Sequence, residues 1–192
     1  MTVPTQLSKD EAGDAVCRLD AKLRAVAAAV DASRASGLWE PTLILLYATI
    51  DAMAWLDRPD GQADVHADDF IDWVDSYLLP DSGLPCSGAD MYGARCGFLH
   101  SHTGESRRHR ELRIKKLFYH RRLGDRPVGI VQLLMNEKFL PPSIDLDLLF
   151  GAFRRASERF RAAIVADESK RILVCRRVLE SYYSEVMYGP GA

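Results

Sequence analysis

The stretch that most constrains this chain is "PTLILLYATIDAMAWL", residues 41–56. It has helical length and no internal Pro or Gly, and it is apolar almost all the way round. An amphipathic surface helix keeps one polar face, whereas a helix apolar on every side has to be surrounded. Residues 41–56 are therefore expected to form the central, buried helix of a helical bundle, with Pro41 in its first turn and "DRPDG" closing it as a turn.

The flanking segments supply the rest of such a bundle. Ser8 and Glu11 form a Ser-x-x-Glu capping box. The stripe Val16, Leu19, Leu23, Val26 and Val30 then recurs at three- and four-residue steps, and Gly37 is a natural stop. A third helix is expected in "DDFIDWVDSYLL", capped by Asp68 or a neighbour and ended by Pro80. A fourth carries "ADMYGARCGFLHSH", with Ser87 and Asp90 as its cap and Gly104 as its end. Gly93 and Gly97 lie inside it, each costing up to about 1 kcal/mol of helix propensity; close approach to another helix would account for them. Ser143 is read as the cap of a long helix from about Ile144, with Leu148, Leu149, Ala152, Phe153, Ala156, Phe160 and Ile164 on one face. "DESKRILVCRRVLESYYSEV" continues that helix or forms a last one. "LRIKKLFYHRR" and "RPVGIVQLLMN" read as two strands joined around "LGDR". The expectation is a mainly α fold: one domain over 1–192, a bundle of five or six helices, with a basic loop at about 103–140 and a small β-hairpin near 112–136.

Composition narrows the class. A chain of 192 residues, 47% hydrophobic and 27% charged, is an ordinary globular protein. No run of eighteen apolar residues predicts a membrane span, and "MTVPTQLSKDEAGD" lacks the plan of a secretion signal. Cys17, Cys86, Cys96 and Cys175 form no Cys-x-x-Cys, so reduced thiols and a cytoplasmic setting are expected. The net charge of −2 hides an asymmetry. Residues 1–104 carry 7 Lys/Arg against 16 Asp/Glu, whereas residues 105–126 carry 9 against 3. A general nucleic-acid coat does not look like this, but a local anion-binding strip does. Taken alone, the strip also fits a solvated surface loop.

The chemistry concentrates where the two halves meet, in "MYGARCGFLHSHTGESRRHR". Arg95 is followed by His100 and His102, and then by Arg107, Arg108, His109, Arg110, Arg113, Lys115 and Lys116. Arg95-Cys-Gly-Phe-Leu-His100 resembles the Arg-x4-6-His motif of HEPN domains, α-helical bundles found in prokaryotic toxins and defence proteins. The resemblance covers this helix well and the preceding helices in pattern only. It implies a metal-independent endoribonuclease working as a homodimer, with Arg95 and His100 as catalytic residues, His102 as a second candidate, and no cofactor. It also allows a catalytically silent module that binds a nucleotide or a partner protein, such as an antitoxin or a nucleotidyltransferase. The family often has Asn after the arginine, where this chain has Cys96.

The residue types suit such a reaction. Histidine exchanges protons near neutral pH, and arginine presents a permanently charged fork of donors to phosphate oxygens. On a helix, five steps put His100 about 140° from Arg95, and seven bring His102 back to within about 20°. Asp51, a carboxylate in the most apolar helix, needs a partner. It is expected either to orient Arg95 or His100, as an acidic residue on an earlier helix does in that family, or to form a purely structural ion pair. Arg107, Arg108, Arg110, Arg113, Lys115 and Lys116 are candidate contacts for flanking phosphates. Phe118, Tyr119 and His120 are either base-stacking groups or one strand packed on the bundle. Tyr47 and Trp55, one turn either side of Asp51, fit core aromatics better than stacking groups. Cys96, His100, His102 and Cys86 match no common zinc spacing, and Cys96 with His100 lacks a readable orienting group for nucleophilic work.

Overall fold

The structure is a computed structural model, and it describes residues 9–101, 114–123, 126, 127 and 142–181. Among these residues the fold is mainly α, with six α-helices: α1 Lys9–Ala35, α2 Trp39–Asp57, α3 Ala67–Trp73, α4 Gly88–Ser101, α5 Leu146–Ala166 and α6 Glu168–Ser181. Four short strands accompany them: β1 Phe118–His120, β2 Arg122–Leu123, β3 Arg126–Pro127 and β4 Ser143–Asp145.

The all-round apolar helix takes the central place expected of it. α2 packs against α1, α3, α4 and α6; Leu43, Leu46, Tyr47, Ile50, Met53, Ala54 and Leu56 are buried on one broad face, and Ile44, Leu45 and Trp55 are partly buried against the core on the other side. Its two buried threonines return their hydroxyls to the preceding turn, Thr42 to the Leu38 carbonyl and Thr49 to the Leu45 carbonyl, which leaves neither polar group unmet. The far end is closed from α6. Buried Arg177 donates from Nη1 to the Leu56 carbonyl and from Nη2 to the Pro59 carbonyl, both at 2.8 Å. A cation there satisfies carbonyls that the helix leaves open and complements the negative end of its dipole.

α1 ends as its glycine predicts. Gly37 has φ +73°, its N–H donates to the Arg34 carbonyl, and the Leu38 N–H donates to Ser33, the paired bonds of a Schellman motif. The Ser87–Asp90 cap of α4 forms in both directions: the Asp90 N–H donates to Ser87 Oγ at 3.2 Å, and the Ser87 N–H to Asp90 Oδ2 at 3.0 Å. The Ser8 cap and Gly104 lie outside the described residues.

Two local expectations are corrected and two are made specific. Of the caps expected for α3, Asp68 or a neighbour, it is the neighbour His66 that takes the position, because Asp69 sits three residues on and takes the His66 backbone N–H at 2.5 Å; the helix then loosens into a π turn at Val74–Leu78. Ser143 does not cap α5. Residues 143–145 are drawn into β4 by parallel pairing with β1, and the Asp145 carboxylate takes the cap, accepting the Asp147 and Leu148 N–H groups at 2.9 and 3.2 Å. Leu148, expected on the buried face of α5, is 36% exposed, whereas Phe150 is buried. An antiparallel pair does close around the expected "LGDR" turn, β2 with β3 and Leu123 opposite Arg126, and β1 adds a parallel ladder to β4 that the sequence reading did not include. Residues 128–141 lie outside the described part.

Close helix approach involves a glycine that the sequence pattern had not singled out. A Cβ on Gly88 would stand 2.8 Å from both the Ile71 carbonyl oxygen and Asp75 Oδ1. Its N–H donates to that Asp75 oxygen at 2.9 Å, so α4 starts directly on α3. Gly93 and Gly97 are buried within α4.

Candidate functional site

α2 and α4 run antiparallel past each other, and two contacts fix their register. Tyr47 stacks on Phe98 with ring centroids 6.0 Å apart, and one turn further along α2 Asp51 meets Arg95. The Arg95 Nε–H donates to Asp51 Oδ2 at 2.7 Å, and the two side chains are 20% and 21% exposed. Arg95 therefore sits at the edge of the core rather than in it. Burial draws its pKa down, but the hydrogen bond and the charge of Asp51 outweigh that and hold it above its usual value. Its guanidinium also lies 5.7 Å from the centre of the Tyr92 ring, and Nη1 is 3.9 Å from Cys96 Sγ. Asp51 thus takes the partner that its apolar surroundings require, across 44 residues of sequence.

The remaining candidates divide. His100 lies in α4, whose regular turns run through Ser101; its Cα direction therefore diverges from that of Arg95 by about 140° at about 7.5 Å along the axis. The side chain of His100 is outside the described part, as are His102, Arg107, Arg108, His109, Arg110 and Arg113. Lys115 and Lys116 are described and exposed. The Lys115 N–H donates to Asp90 Oδ1 at 2.6 Å, while Tyr119, four residues on, packs edge-on against Phe98 at 5.5 Å. Residues 115–119 therefore run alongside α4 in the same direction, from its first turn towards its last.

That segment alternates. Leu117 is buried, and Tyr119 bonds its hydroxyl to that of Tyr47. Lys116, Phe118 and His120 take the other face, as period-two backbone requires. The Lys116 ammonium sits 5.9 Å from the Phe118 ring, and His120 Nδ1 shares a 2.7 Å hydrogen bond with Ser143 Oγ across the β1–β4 pair. Tyr119 thus packs against the core; burial pushes its phenol, and that of Tyr47, well above the usual range. Trp55 lies under the Arg58 guanidinium at 4.2 Å.

Cys86 is packed with Tyr47, Met91, Leu117 and Tyr119. Burial, then the nearby Asp90 and Asp75 charges, push its thiol up to about 12. A thiolate is the nucleophilic form of cysteine, so Cys86 is a poor nucleophile near neutral pH. Among the described residues no three His, Cys, Asp or Glu side chains gather as a metal set.

A second half-buried cluster carried no signal in the sequence. Lys170 on α6 pairs with Asp57 on α2 at 2.5 Å and donates to the Tyr77 hydroxyl at 2.6 Å, with its ammonium 5.8 Å from the Phe160 ring. Its members are far apart in the chain and follow no motif.

Fold and site together define a helical bundle that holds a carboxylate–guanidinium pair at the edge of its core. No family model matches the chain, and no curated protein or solved structure is detectably similar to it. Among the described residues no helix is long and apolar enough to cross a membrane.

Proposed function

We propose that the protein is a HEPN-like, metal-independent endoribonuclease, a cytoplasmic toxin or defence component acting as a homodimer. The observation that carries the reading is the Asp51–Arg95 pair. A guanidinium fixed by a carboxylate at the rim of a core, one-fifth exposed, keeps its charge and its orientation and remains within reach of a phosphate. In this reading His100 accepts the proton of the RNA 2′-OH, which attacks the adjacent phosphorus. Arg95 stabilises the charge gathering on the phosphate oxygens, and the 5′-oxygen leaves with a proton, giving a 2′,3′-cyclic phosphate and a 5′-hydroxyl. One protomer holds one Arg95 and one His100, and a two-fold dimer supplies the second proton-transfer group.

A second reading is favoured by one observation, the divergence of Arg95 and His100 on a regular helix. It makes the protein a catalytically silent module that binds a nucleotide or a partner such as an antitoxin or nucleotidyltransferase.

The test incubates the purified chain with RNA in EDTA, beside Arg95→Ala, His100→Ala and His102→Ala. Metal-free cleavage lost in Arg95→Ala and His100→Ala supports the nuclease. Cleavage that needs metal, or that survives both substitutions, removes it. Greater loss in His102→Ala than in His100→Ala transfers the proton-transfer role to His102.

A further inference from the structure

We propose that the groove between β1 and the start of α2 binds an unpaired RNA strand, stacking a base against Phe118 and holding phosphates on Lys116 and Arg121. The inference rests on the ribonuclease reading and adds where the strand lies.

The groove has a volume of about 580 Å³, in the range of sites that enclose small ligands. Its β1 wall is residues 116–121, in which a cation, an aromatic ring and an imidazole stand at every second position: Lys116, Phe118, His120. Arg121, next after β1, reaches across the groove to the start of α2: its guanidinium lies 4.2 Å from the centre of the Trp39 ring, which is itself stacked on Phe150, so Trp39 holds that cation in place at the groove. Aromatic faces flanked by cations are what an unpaired strand requires. The rings take exposed base faces, which a duplex hides, and the cations take the backbone. His120 enters with its ring held by Ser143, so it presents an oriented edge at little entropic cost.

Charge settles the direction of the ligand. The segment 105–126 carries 9 Lys/Arg against 3 Asp/Glu, and among the described residues lining the groove Glu40 is the one carboxylate. An anion is therefore placed towards Lys116 and Arg121, with a base amino group towards Glu40. The groove also adjoins the candidate site. Phe98, three residues past Arg95, lines it, about 4.5 Å further along α4. A strand crossing Arg95 continues into the groove within a few nucleotides.

The test is fluorescence anisotropy with the intact chain and a labelled 2′-O-methyl oligouridine of about ten nucleotides, within the span of single-strand sites. This probe lacks the attacking hydroxyl, so binding is read whether or not the protein cleaves RNA. Phe118→Ala is expected to weaken binding about tenfold with the salt dependence unchanged, and Phe118→Tyr to keep it. Lys116→Ala and Arg121→Ala are expected each to weaken binding and to lower the salt slope by about one. Affinity unchanged in the double variant Lys116→Ala/Arg121→Ala overturns the proposal, even if Phe118→Ala fails to fold. Tighter binding of duplex RNA or of a polyglutamate peptide overturns it as well.

Discussion

Asp51 on α2 and Arg95 on α4 face each other across the antiparallel contact of the two helices, Nε to Oδ2 at 2.7 Å. A carboxylate in an apolar helix and an arginine in a small-residue helix each cost free energy alone, and together they satisfy one another. Removing one partner from such a pair destabilises more than replacing both with apolar groups of similar volume. Arg95→Ala is expected to cost about 1–3 kcal/mol, measured by urea denaturation, and Asp51→Leu/Arg95→Met to recover most of that loss. The double variant then separates roles: it folds, and on the nuclease reading it does not cleave RNA. A double variant as unstable as Arg95→Ala would show that the pair is not the unit assumed.

Glycine substitutions report on where α4 starts. At Gly88 a methyl group meets the Ile71 carbonyl oxygen and Asp75 Oδ1 at 2.8 Å, and backbone cannot step aside as a side chain can. Gly88→Ala is expected to lower stability by about 1–3 kcal/mol. Gly13, exposed inside α1 with nothing within 4 Å of such a methyl, is expected to gain about 0.5–1 kcal/mol as Ala. Thermal unfolding of the two variants beside the parent checks both signs.

Alkaline pH probes the cluster at the other end of the bundle. Burial draws the Lys170 pKa down, but the hydrogen bonds and charges of Asp57 and Tyr77 outweigh that and hold it above its usual value. A cation raised in the folded state contributes stability that is complete below its unfolded pKa, about 10.4. The contribution disappears as pH rises through the folded value. The melting temperature of the parent is therefore expected to fall between about pH 10 and 12, and that of Asp57→Asn/Lys170→Met to fall less over the same interval. Parallel curves would remove Lys170 as the titrating group.

The cysteines are expected to react in order of access and acidity. Cys17 is exposed, whereas Cys175 is buried and the Cys86 thiol is pushed up to about 12. Iodoacetamide near pH 8 is expected to modify Cys17 first and to leave Cys86 and Cys175 intact until the chain is unfolded, as peptide mass mapping would show. Early labelling of Cys86 would mean that the packing around Tyr47 and Tyr119 opens readily.

Local sequence determined much of this protein. Apolar periodicity placed α1 and α2, an all-round apolar stretch made α2 the centre, Gly37 ended α1, and Ser87 with Asp90 capped α4. These features act within a few residues, so the backbone they dictate is written beside them. Asp51 was legible as a charge needing a partner, because no apolar helix tolerates a lone carboxylate. Which arginine answered it was settled by the antiparallel register of α2 and α4. The same holds where expectations changed. Ser143 lost its capping role because pairing with β1 pulled residues 143–145 into a strand, and Gly88 proved to be a close-contact glycine because α3 lies against it. The Lys170 cluster and the alternating wall of Lys116, Phe118 and His120 depend on groups from elements distant in the chain. Contacts across that distance are set by which surfaces pack, and packing is a property of the assembled bundle rather than of any segment.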